Sequence, residues 1–257
     1  MKDSVGVVIP TYNRPDRTVE AIRSVMAQTY SISEIVVVDD GSSPNYRDEL
    51  RTKLSKLPVR LIEIERSCHP GNARQIGITS LSSKWVAFLD SDDIWFPNKV
   101  EKQLSYARDK SARAICSNAL INADNNSPKL LLQGVPKDLN LKRLLRVNFI
   151  ITSSVLIERE LILEIGGFVK SYPALGAEDY ATWLRIATKT NWDYIDEDLL
   201  LYDNCSVDSV SKSNIFTHDF SRIAGILDFA SWQKVENGKR LNRFRGLIRL
   251  STRFIPK

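Results

Sequence analysis

Two aspartates separated by one residue, Asp90 and Asp92, follow directly on the apolar run 85–89. Carboxylate oxygens at the end of a buried strand are ligands that Mg²⁺ or Mn²⁺ accepts, and such a metal stabilises the charge of a diphosphate leaving group. Asp93 adds a third carboxylate, and crowded carboxylates repel one another unless a cation lies among them. The DxD triplet therefore predicts a metal site. The alternative is an Asp-rich turn that caps the next helix.

Glu178 and Asp179 form a second acidic pair, in a predicted helix that continues with Trp183. A carboxylate in a partly closed site can have a raised pKa and act as a general base toward an attacking hydroxyl. The alternative is the acidic first turn of a helix, which the helix dipole stabilises without a catalytic role. The residues alone leave both interpretations open.

Polar residues also follow the other apolar runs of the N-terminal half. The first run leads into Thr11-Tyr12-Asn13-Arg14-Pro15. The second leads into Asp39-Asp40-Gly41-Ser42, where a carboxylate can accept a hydrogen bond from a base N–H and Gly41 permits a close turn. Arg74, in a helix predicted to begin near Gly71, can reach a nucleotide or a phosphate. A simple Asp-Gly turn and a solvated helix face are the alternatives.

These polar residues need a scaffold that brings them together. Short β-branched runs predict strands buried on both faces, at 5–10, 34–38, 59–64 and 85–89. Helical patterns alternate with them, at 16–28, 45–57 and 71–81, with a fourth helix predicted to start at Pro97. Such alternation predicts an open α/β sheet, which binds ligands at the carboxyl ends of its strands.

The second half of the chain has a less regular pattern. Its predicted elements are a helix over 139–147, a strand over 149–157, a strand and Ser-rich loop over 198–211 and a helix over 215–231. Because no internal repeat or low-complexity linker occurs, we expect this half to pack onto the first.

The composition is that of a globular protein, with 43% hydrophobic and 26% charged residues. No apolar run approaches the roughly 18 residues that span a bilayer, and the N-terminus has no signal-peptide cleavage region. The three cysteines lack CxxC spacing, which suits a reducing compartment. These features predict a cytoplasmic location.

The net charge of +5 comes from the C-terminal end, because residues 234–257 hold eight basic residues and one acidic residue. The charge before this segment is slightly negative, which argues against nucleic acid as a partner. Within 239–257, apolar and basic residues recur on separate helical faces. This pattern predicts a basic amphipathic helix on an anionic membrane surface, and the alternative is a helix docked on the domain with a solvated basic face.

Taken together, the motifs resemble family 2 of the inverting glycosyltransferases, which includes bacterial O-antigen and capsule sugar transferases. The matching segments are VVIPTYNR (7–14), EIVVVDDGSS (34–43), GNARQIGI (71–78), WVAFLDSDDIWFPNKV (85–100), GGF (166–168) and AEDYATWLRIA (177–187). The resemblance covers about residues 5–190. It implies a GT-A fold, a Rossmann-like open mixed sheet flanked by helices. The corresponding division is a nucleotide-sugar-binding half (1–118), an acceptor-binding half (119–212) and a basic helical segment (213–257).

The resemblance also implies the roles of individual residues. The donor site consists of Pro10, Thr11, Tyr12, Asn13, Arg14, Asp40, Arg74, Asp90, Ser91 and Asp92. Asp40 faces the base of a UDP-sugar, and Asp92, assisted by Asp90, binds Mn²⁺ or Mg²⁺. Asp179 is the catalytic base and Glu178 positions it. The expected acceptor is a lipid-linked glycan at the inner face of the cell membrane, where the protein is peripheral.

Some features depart from this family or favour another class. Where the family often carries YRxH and then SxS, this chain has Tyr202-Asp203-Asn204-Cys205 and Ser209-Val210-Ser211, which puts a metal or phosphate contact from this loop in doubt. A nucleotidyltransferase would need a Gly-rich phosphate loop after the first strand, and TYNRPDR is not one. The remaining alternative is a degenerate module that binds a nucleotide-sugar without turnover.

Overall fold

The structure, a computed structural model, describes residues 3–122, 128–170, 176–203 and 215–237. Within these residues one ten-stranded mixed sheet forms, with helices packed on its two faces. Its strands are β1 (Val5–Thr11), β2 (Glu34–Asp40), β3 (Arg60–Ile64), β4 (Trp85–Phe88), β5 (Ile94–Trp95), β6 (Ala114–Asn122), β7 (Pro128–Leu130), β8 (Asp138–Leu139), β9 (Leu156–Glu158) and β10 (Trp192–Tyr202). The main order is β3-β2-β1-β4-β9-β6-β10-β5, with β7 beside β6 and β8 beside β10.

The helices lie between these strands along the chain. They are α1 (Pro15–Met26), α2 (Pro44–Leu54), α3 (Pro70–Ser80), α4 (Lys99–Lys110), α5 (Leu141–Leu144), α6 (Arg159–Glu164), α7 (Glu178–Ile186) and α8 (Ile215–Asn237). A 3-10 turn, called the 152–154 turn below, covers Thr152–Ser154.

The first four long strands are parallel, as the strand–helix alternation predicts: β1 pairs with β2 and β4, and β2 pairs with β3. Alternate residues of β1 face opposite sides of the sheet. Val8 joins the core beneath α3 and α7, while Val7 and Ile9 join the core beneath α1, α2 and α4. Burial on both faces explains why these strands read as continuous β-branched runs. Gly77 of α3 lets that helix lie against β1, because a Cβ there would come within 2.3 Å of Val8.

Helix α4 starts later than the sequence predicts. Helix α4 begins at Lys99, not at Pro97. The backbone at 96–97 has other partners: the carbonyl of Phe96 accepts a hydrogen bond from the side-chain amide of Gln28 (2.8 Å), and the carbonyl of Pro97 accepts one from the amide of Thr29 (2.8 Å). These long-range bonds keep Pro97 outside the helix.

The predicted strand over 149–157 is wrong for most of its length. The chain forms the 152–154 turn there, and only Leu156–Glu158 is a strand, antiparallel to both β4 and β6. The hydroxyl of Ser154 donates to the carbonyl of Ile151 (2.7 Å), a local bond that competes with a sheet ladder. The predicted helix over 139–147 shrinks to α5, whose N-cap Asn140 accepts a hydrogen bond from the amide of Arg143 (3.1 Å).

The C-terminal helix α8 packs on α7, and Arg185 forms an ion pair with Asp228 at 2.5 Å. Among the helices of the described residues, none combines the length and hydrophobicity needed to cross a bilayer. The predicted basic helix over 239–257 and the loop with Cys205, Ser209 and Ser211 lie outside the described residues. The proposed division of the chain at 118 and 212 stays a prediction.

Candidate active site

The loops that follow β1 and β2 are tied together by Asn13. Its amide donates to the hydroxyl of Ser42 (2.8 Å), and its side-chain oxygen accepts a hydrogen bond from the amide of Ser43 (2.8 Å). Asn13 has a φ of +53°, a left-handed conformation that Asn tolerates better than most residues. The two loops therefore form one surface at the carboxyl edge of the sheet.

The two aspartates that end β2 have different tasks. Asp39 is fully buried and holds its own loop, because it accepts hydrogen bonds from the amide of Ser42 (3.2 Å) and from Arg47 (3.2 Å). Asp40 points to the neighbouring loop, where it pairs with Arg66 (2.5 Å) and accepts from the amide and hydroxyl of Ser67 (2.8 and 2.7 Å). Asp40 is also buried, and its predicted contact with a nucleotide base stays a prediction.

Arg66 is a residue that the sequence analysis missed. Its guanidinium lies 3.5 Å from the ring centroid of Tyr12, whose side chain is exposed, while it also pairs with Asp40. Arg66 follows β3, so its position as a charged residue just after a strand could have predicted its place at this edge of the sheet. The planar guanidinium of Arg66 therefore covers the ring of Tyr12 beside Asp40.

Gly41 makes the close approach of these loops possible. Its φ is +71°, and a Cβ there would lie 2.5 Å from the backbone nitrogen of Arg66. We expect Gly41→Ala to lower the free energy of unfolding by about 2–4 kcal/mol, from left-handed strain plus the steric clash. Gly134→Ala is the matched control, because Gly134 has a φ of +63° and nothing within 4 Å of the added Cβ. Urea denaturation measures both, and equal losses would contradict the role of the Arg66 contact.

The three aspartates after β4 have separate partners. Asp92 pairs with Arg14 at 2.5 Å, and Asp90 pairs with Arg74 at 2.6 Å. Burial and then repulsion from Asp90 raise the pKa of Asp92, although Arg14 opposes this shift. Asp93 is buried and accepts a hydrogen bond from the amide of Asp203 (3.0 Å), and burial raises its pKa well above the ordinary value. Asp93 therefore holds the end of β10, and Asp90 and Asp92 are the carboxylates nearest the arginines.

The donor set of this loop fits a divalent cation that a diphosphate helps to hold. Within the described ranges no three His, Cys, Asp or Glu side chains are grouped closely enough to hold a metal by themselves. Asp90 and Asp92 supply hard oxygen atoms, and Mg²⁺ is commonly bound by one or two carboxylates together with substrate phosphates. Both carboxylates are also paired with arginines, so a cation bound here would share them with Arg14 and Arg74.

Arg74 connects the DxD loop with the second acidic pair. Its guanidinium bonds Asp90 on one side and Glu178 on the other, the latter at 3.2 Å, and it lies 5.3 Å from the centroid of the Phe168 ring. Arg74 and Glu178 are both buried, so removal of Arg74 would leave the Glu178 carboxylate without the cation that balances it. Gly71 allows this approach of α3, because a Cβ there would lie 1.9 Å from the carbonyl oxygen of Val169.

Glu178 and Asp179 lie at the start of α7 beside Arg74. Glu178 is buried and also accepts a hydrogen bond from the amide of Gly176 (2.9 Å). Asp179 accepts hydrogen bonds from the hydroxyl of Thr152 (3.0 Å) and the amide of Tyr180 (2.6 Å). Burial, followed by repulsion from Glu178, raises the pKa of Asp179 to about 6, although Arg74 opposes the shift. A carboxylate with this pKa is suited to general-base chemistry near neutral pH.

The structure thus brings most of the predicted donor residues to one edge of the sheet. Arg14, Arg74, Asp90 and Asp92 form ion pairs there, and Tyr12, Asn13 and Asp40 form the adjacent surface. Three predicted residues are less available. Pro10 lies within β1, Ser91 is buried in its turn, and the buried hydroxyl of Thr11 lies 2.7 Å from that of Thr18.

Comparison with known proteins identifies relatives of this chain. The model of the family described as "Glycosyl transferase family 2" matches residues 6–166. The chain is 30% identical over 220 residues to the Escherichia coli UDP-Glc:α-D-GlcNAc-diphosphoundecaprenol β-1,3-glucosyltransferase WfgD, covering 85% of this chain and 82% of that protein. It is 29% identical over 190 residues to the putative teichuronic acid biosynthesis glycosyltransferase TuaG of Bacillus subtilis, covering 73% of each chain.

Solved structures share the fold. S. aureus TarS 1–349 in complex with UDP matches with a TM-score of 0.62 and 17% identity, over 78% of this chain and 60% of that chain. The mannosyltransferase PcManGT from Pyrobaculum calidifontis, in complex with GDP-Man and Mn²⁺, matches with a TM-score of 0.61 and 18% identity, over 97% and 69% of the two chains. The open mixed sheet flanked by helices is therefore a GT-A fold, and the chain belongs to glycosyl transferase family 2.

Proposed function

We propose that this chain transfers one sugar from a UDP-sugar to a hydroxyl group of a lipid-diphosphate-linked glycan, with inversion at the anomeric carbon. One observation carries the proposal: Arg74 joins a carboxylate pair suited to a metal–diphosphate site with a second pair that includes a carboxylate of raised pKa. Leaving-group stabilisation and general-base catalysis are the two requirements of a direct glycosyl transfer. The residues proposed for these two functions lie on the two sides of the buried Arg74 guanidinium.

The donor is proposed to lie along the edge formed by Tyr12, Asp40, Arg14 and the DxD loop. Tyr12 offers an exposed ring for stacking and Asp40 a carboxylate that accepts from the N3–H of uracil. Arg66 must leave the ring of Tyr12 for a base to stack there. Once displaced, its guanidinium and that of Arg14 are donors for oxygen atoms of the nucleotide.

The chemistry needs no covalent intermediate with the protein. Asp179, held by Thr152 and the amide of Tyr180, takes the proton of the acceptor hydroxyl as this attacks the anomeric carbon opposite the diphosphate. Glu178 keeps Arg74 in place, and Arg74 in turn orients Asp90. Mn²⁺ or Mg²⁺, held by Asp92 and Asp90, would neutralise negative charge on the departing diphosphate.

The proposed acceptor follows from the names of relatives, and the proposed location follows from the basic residues at the C-terminal end. The name of the relative WfgD includes a lipid diphosphate, GlcNAc-diphosphoundecaprenol, and this chain covers 82% of that protein. The basic residues of 239–257 would attract the protein to an anionic membrane. We therefore propose a protein bound peripherally to the inner face of the cell membrane. The half 1–118 would bind the donor and the half 119–212 the acceptor.

Calorimetric titration with UDP-, GDP- and dTDP-glucose, in Mn²⁺ or in EDTA, tests the donor assignment. We expect metal-dependent binding of the UDP-sugar and weaker binding of the other two. A transfer assay with UDP-glucose and a synthetic GlcNAc-diphosphate lipid then tests the reaction. Donor binding without transfer to this or any other lipid-linked acceptor would favour the degenerate binding module. Binding of no nucleotide-sugar would contradict the donor site itself.

A further inference from the structure

The 152–154 turn contacts both the DxD loop and the second acidic pair. The hydroxyl of Thr152 donates to Oδ2 of Asp179 (3.0 Å), and the hydroxyl of Ser153 accepts a hydrogen bond from the amide of Asp90 (3.0 Å). Thr152 and Ser153 are both buried. One short segment therefore contacts the predicted base and the backbone of the DxD loop, which are far apart in the sequence.

The turn itself is held from behind by the protein core. The indole nitrogen of Trp95 donates to the carbonyl of Ser153 (2.8 Å), and the side-chain amide of Gln103 donates to the carbonyl of Ser154 (2.7 Å). Gln103 in turn accepts a hydrogen bond from Lys99 (2.8 Å), and all three of these side chains are buried. Because buried polar groups in such networks have few alternative partners, the orientation of the turn is defined.

The hydroxyl of Thr152 holds the second oxygen atom of the Asp179 carboxylate. Oδ1 is already bonded to the amide of Tyr180, so the bond from Thr152 to Oδ2 holds the second oxygen and restricts rotation of the group. Glu178 on α7 and Arg74 on α3 are the charged groups that face Asp179 among the described residues. A hydroxyl donor favours the ionised carboxylate, in the same direction as Arg74 and against Glu178.

We propose that Thr152 is a positioning residue of the transfer reaction, which orients the Asp179 carboxylate toward the acceptor hydroxyl and keeps it ionised. The 152–154 turn holds Thr152 in the position that this role requires. This role rests on the proposed function, in which Asp179 is the base. It assigns a purpose to a buried Thr-Ser-Ser segment that forms a turn where the sequence pattern predicts a strand.

The direct test is a ¹³C NMR titration of aspartate-labelled protein, with the Asp179 signal assigned by its loss in Asp179→Asn. We expect the wild-type midpoint near the Asp179 pKa of about 6. Thr152→Val should raise it by about one pH unit, the shift expected for loss of one hydrogen bond to an ionised group. Thr152→Ser, which keeps the hydroxyl, should titrate like the wild type. Thr152→Ala is a second variant without the hydroxyl, should the valine variant not fold.

In Thr152→Val, the acidic limb of the pH profile of kcat should also move to higher pH by about one unit. In Thr152→Val we also expect kcat to fall roughly 10-fold at high pH, with an unchanged KM for the UDP-sugar, because the donor surface is intact. An unchanged titration midpoint in both variants that lack the hydroxyl would overturn the inference. A wild-type protein that transfers no sugar would instead contradict the proposed function, and the NMR titration would still decide the role of Thr152.

Discussion

Asp179→Asn is expected to lower kcat for sugar transfer by about 10³-fold, within the range for loss of a general base. The amide has the same shape, its oxygen can accept from the amide of Tyr180 and its NH2 group can donate to the hydroxyl of Thr152, but it cannot take a proton from the acceptor. Donor affinity should change little, because Asp40 and Asp92, which are proposed to bind the nucleotide and metal, are untouched. Steady-state kinetics combined with calorimetry of UDP binding separate these two effects.

The wild-type enzyme should show the pH dependence that this role demands. A base must be ionised to act, so kcat should rise with pH through the Asp179 pKa of about 6 and level off above it. Asp16→Asn is the matched control, because Asp16 is a carboxylate whose side chain is 77% exposed in an ion pair with Lys53. This control should keep full activity. If Asp179→Asn retained more than a tenth of wild-type kcat, another residue would have to be the base.

Asp92→Asn is expected to abolish the metal dependence of UDP binding and to lower kcat by about 10²-fold or more. The neutral amide is a poorer ligand for a hard cation than a carboxylate, and Arg14 loses the charge that it pairs with at 2.5 Å. The measurement is a pair of calorimetric titrations with UDP, in Mn²⁺ and in EDTA. The variant should give similar weak binding in both.

Asp48→Asn is the matched control for this experiment. The Asp48 side chain is 73% exposed, and its pair with Arg51 on the surface of α2 is of the kind that contributes little to stability. It should bind UDP like the wild type in both conditions. If UDP binding by Asp92→Asn depended on metal as it does in the wild type, Asp92 would be excluded as a metal ligand. If UDP binding by the wild type did not depend on metal, the basis for a metal at the DxD loop would be removed.

Much of the proposed donor site could be predicted from sequence because of a simple geometric rule. The β-branched runs that form β1, β2 and β4 can be buried on both faces only in a parallel sheet covered by helices, and parallel strands end at one edge. Polar residues directly after these strands must therefore meet. This is why Asp40, Asp92 and Arg14 lie on one surface, although they are far apart in the chain.

Other elements were less predictable, since they depend on partners distant in sequence. The segment 149–157 is apolar enough to be a strand, yet Trp95 and Gln103 bond its backbone carbonyls and it forms the 152–154 turn. Likewise, Pro97 stays outside α4 because its carbonyl bonds the amide of Thr29. Such contacts leave no periodic signal in the residues that receive them.

The family, the strand–helix order of the N-terminal half and the acidic residues at the strand ends could be predicted, because they follow from local hydrophobic pattern and from motifs. The contacts of each charged group become visible only in the folded protein. Asp39 and Asp40 are adjacent, yet one holds its own loop and the other faces Arg66. Arg74 joins Asp90 to Glu178, and Thr152 reaches Asp179. The physical reason is that burial and long-range partners, which set the pKa and orientation of a carboxylate, exist only once the helices have packed on the sheet.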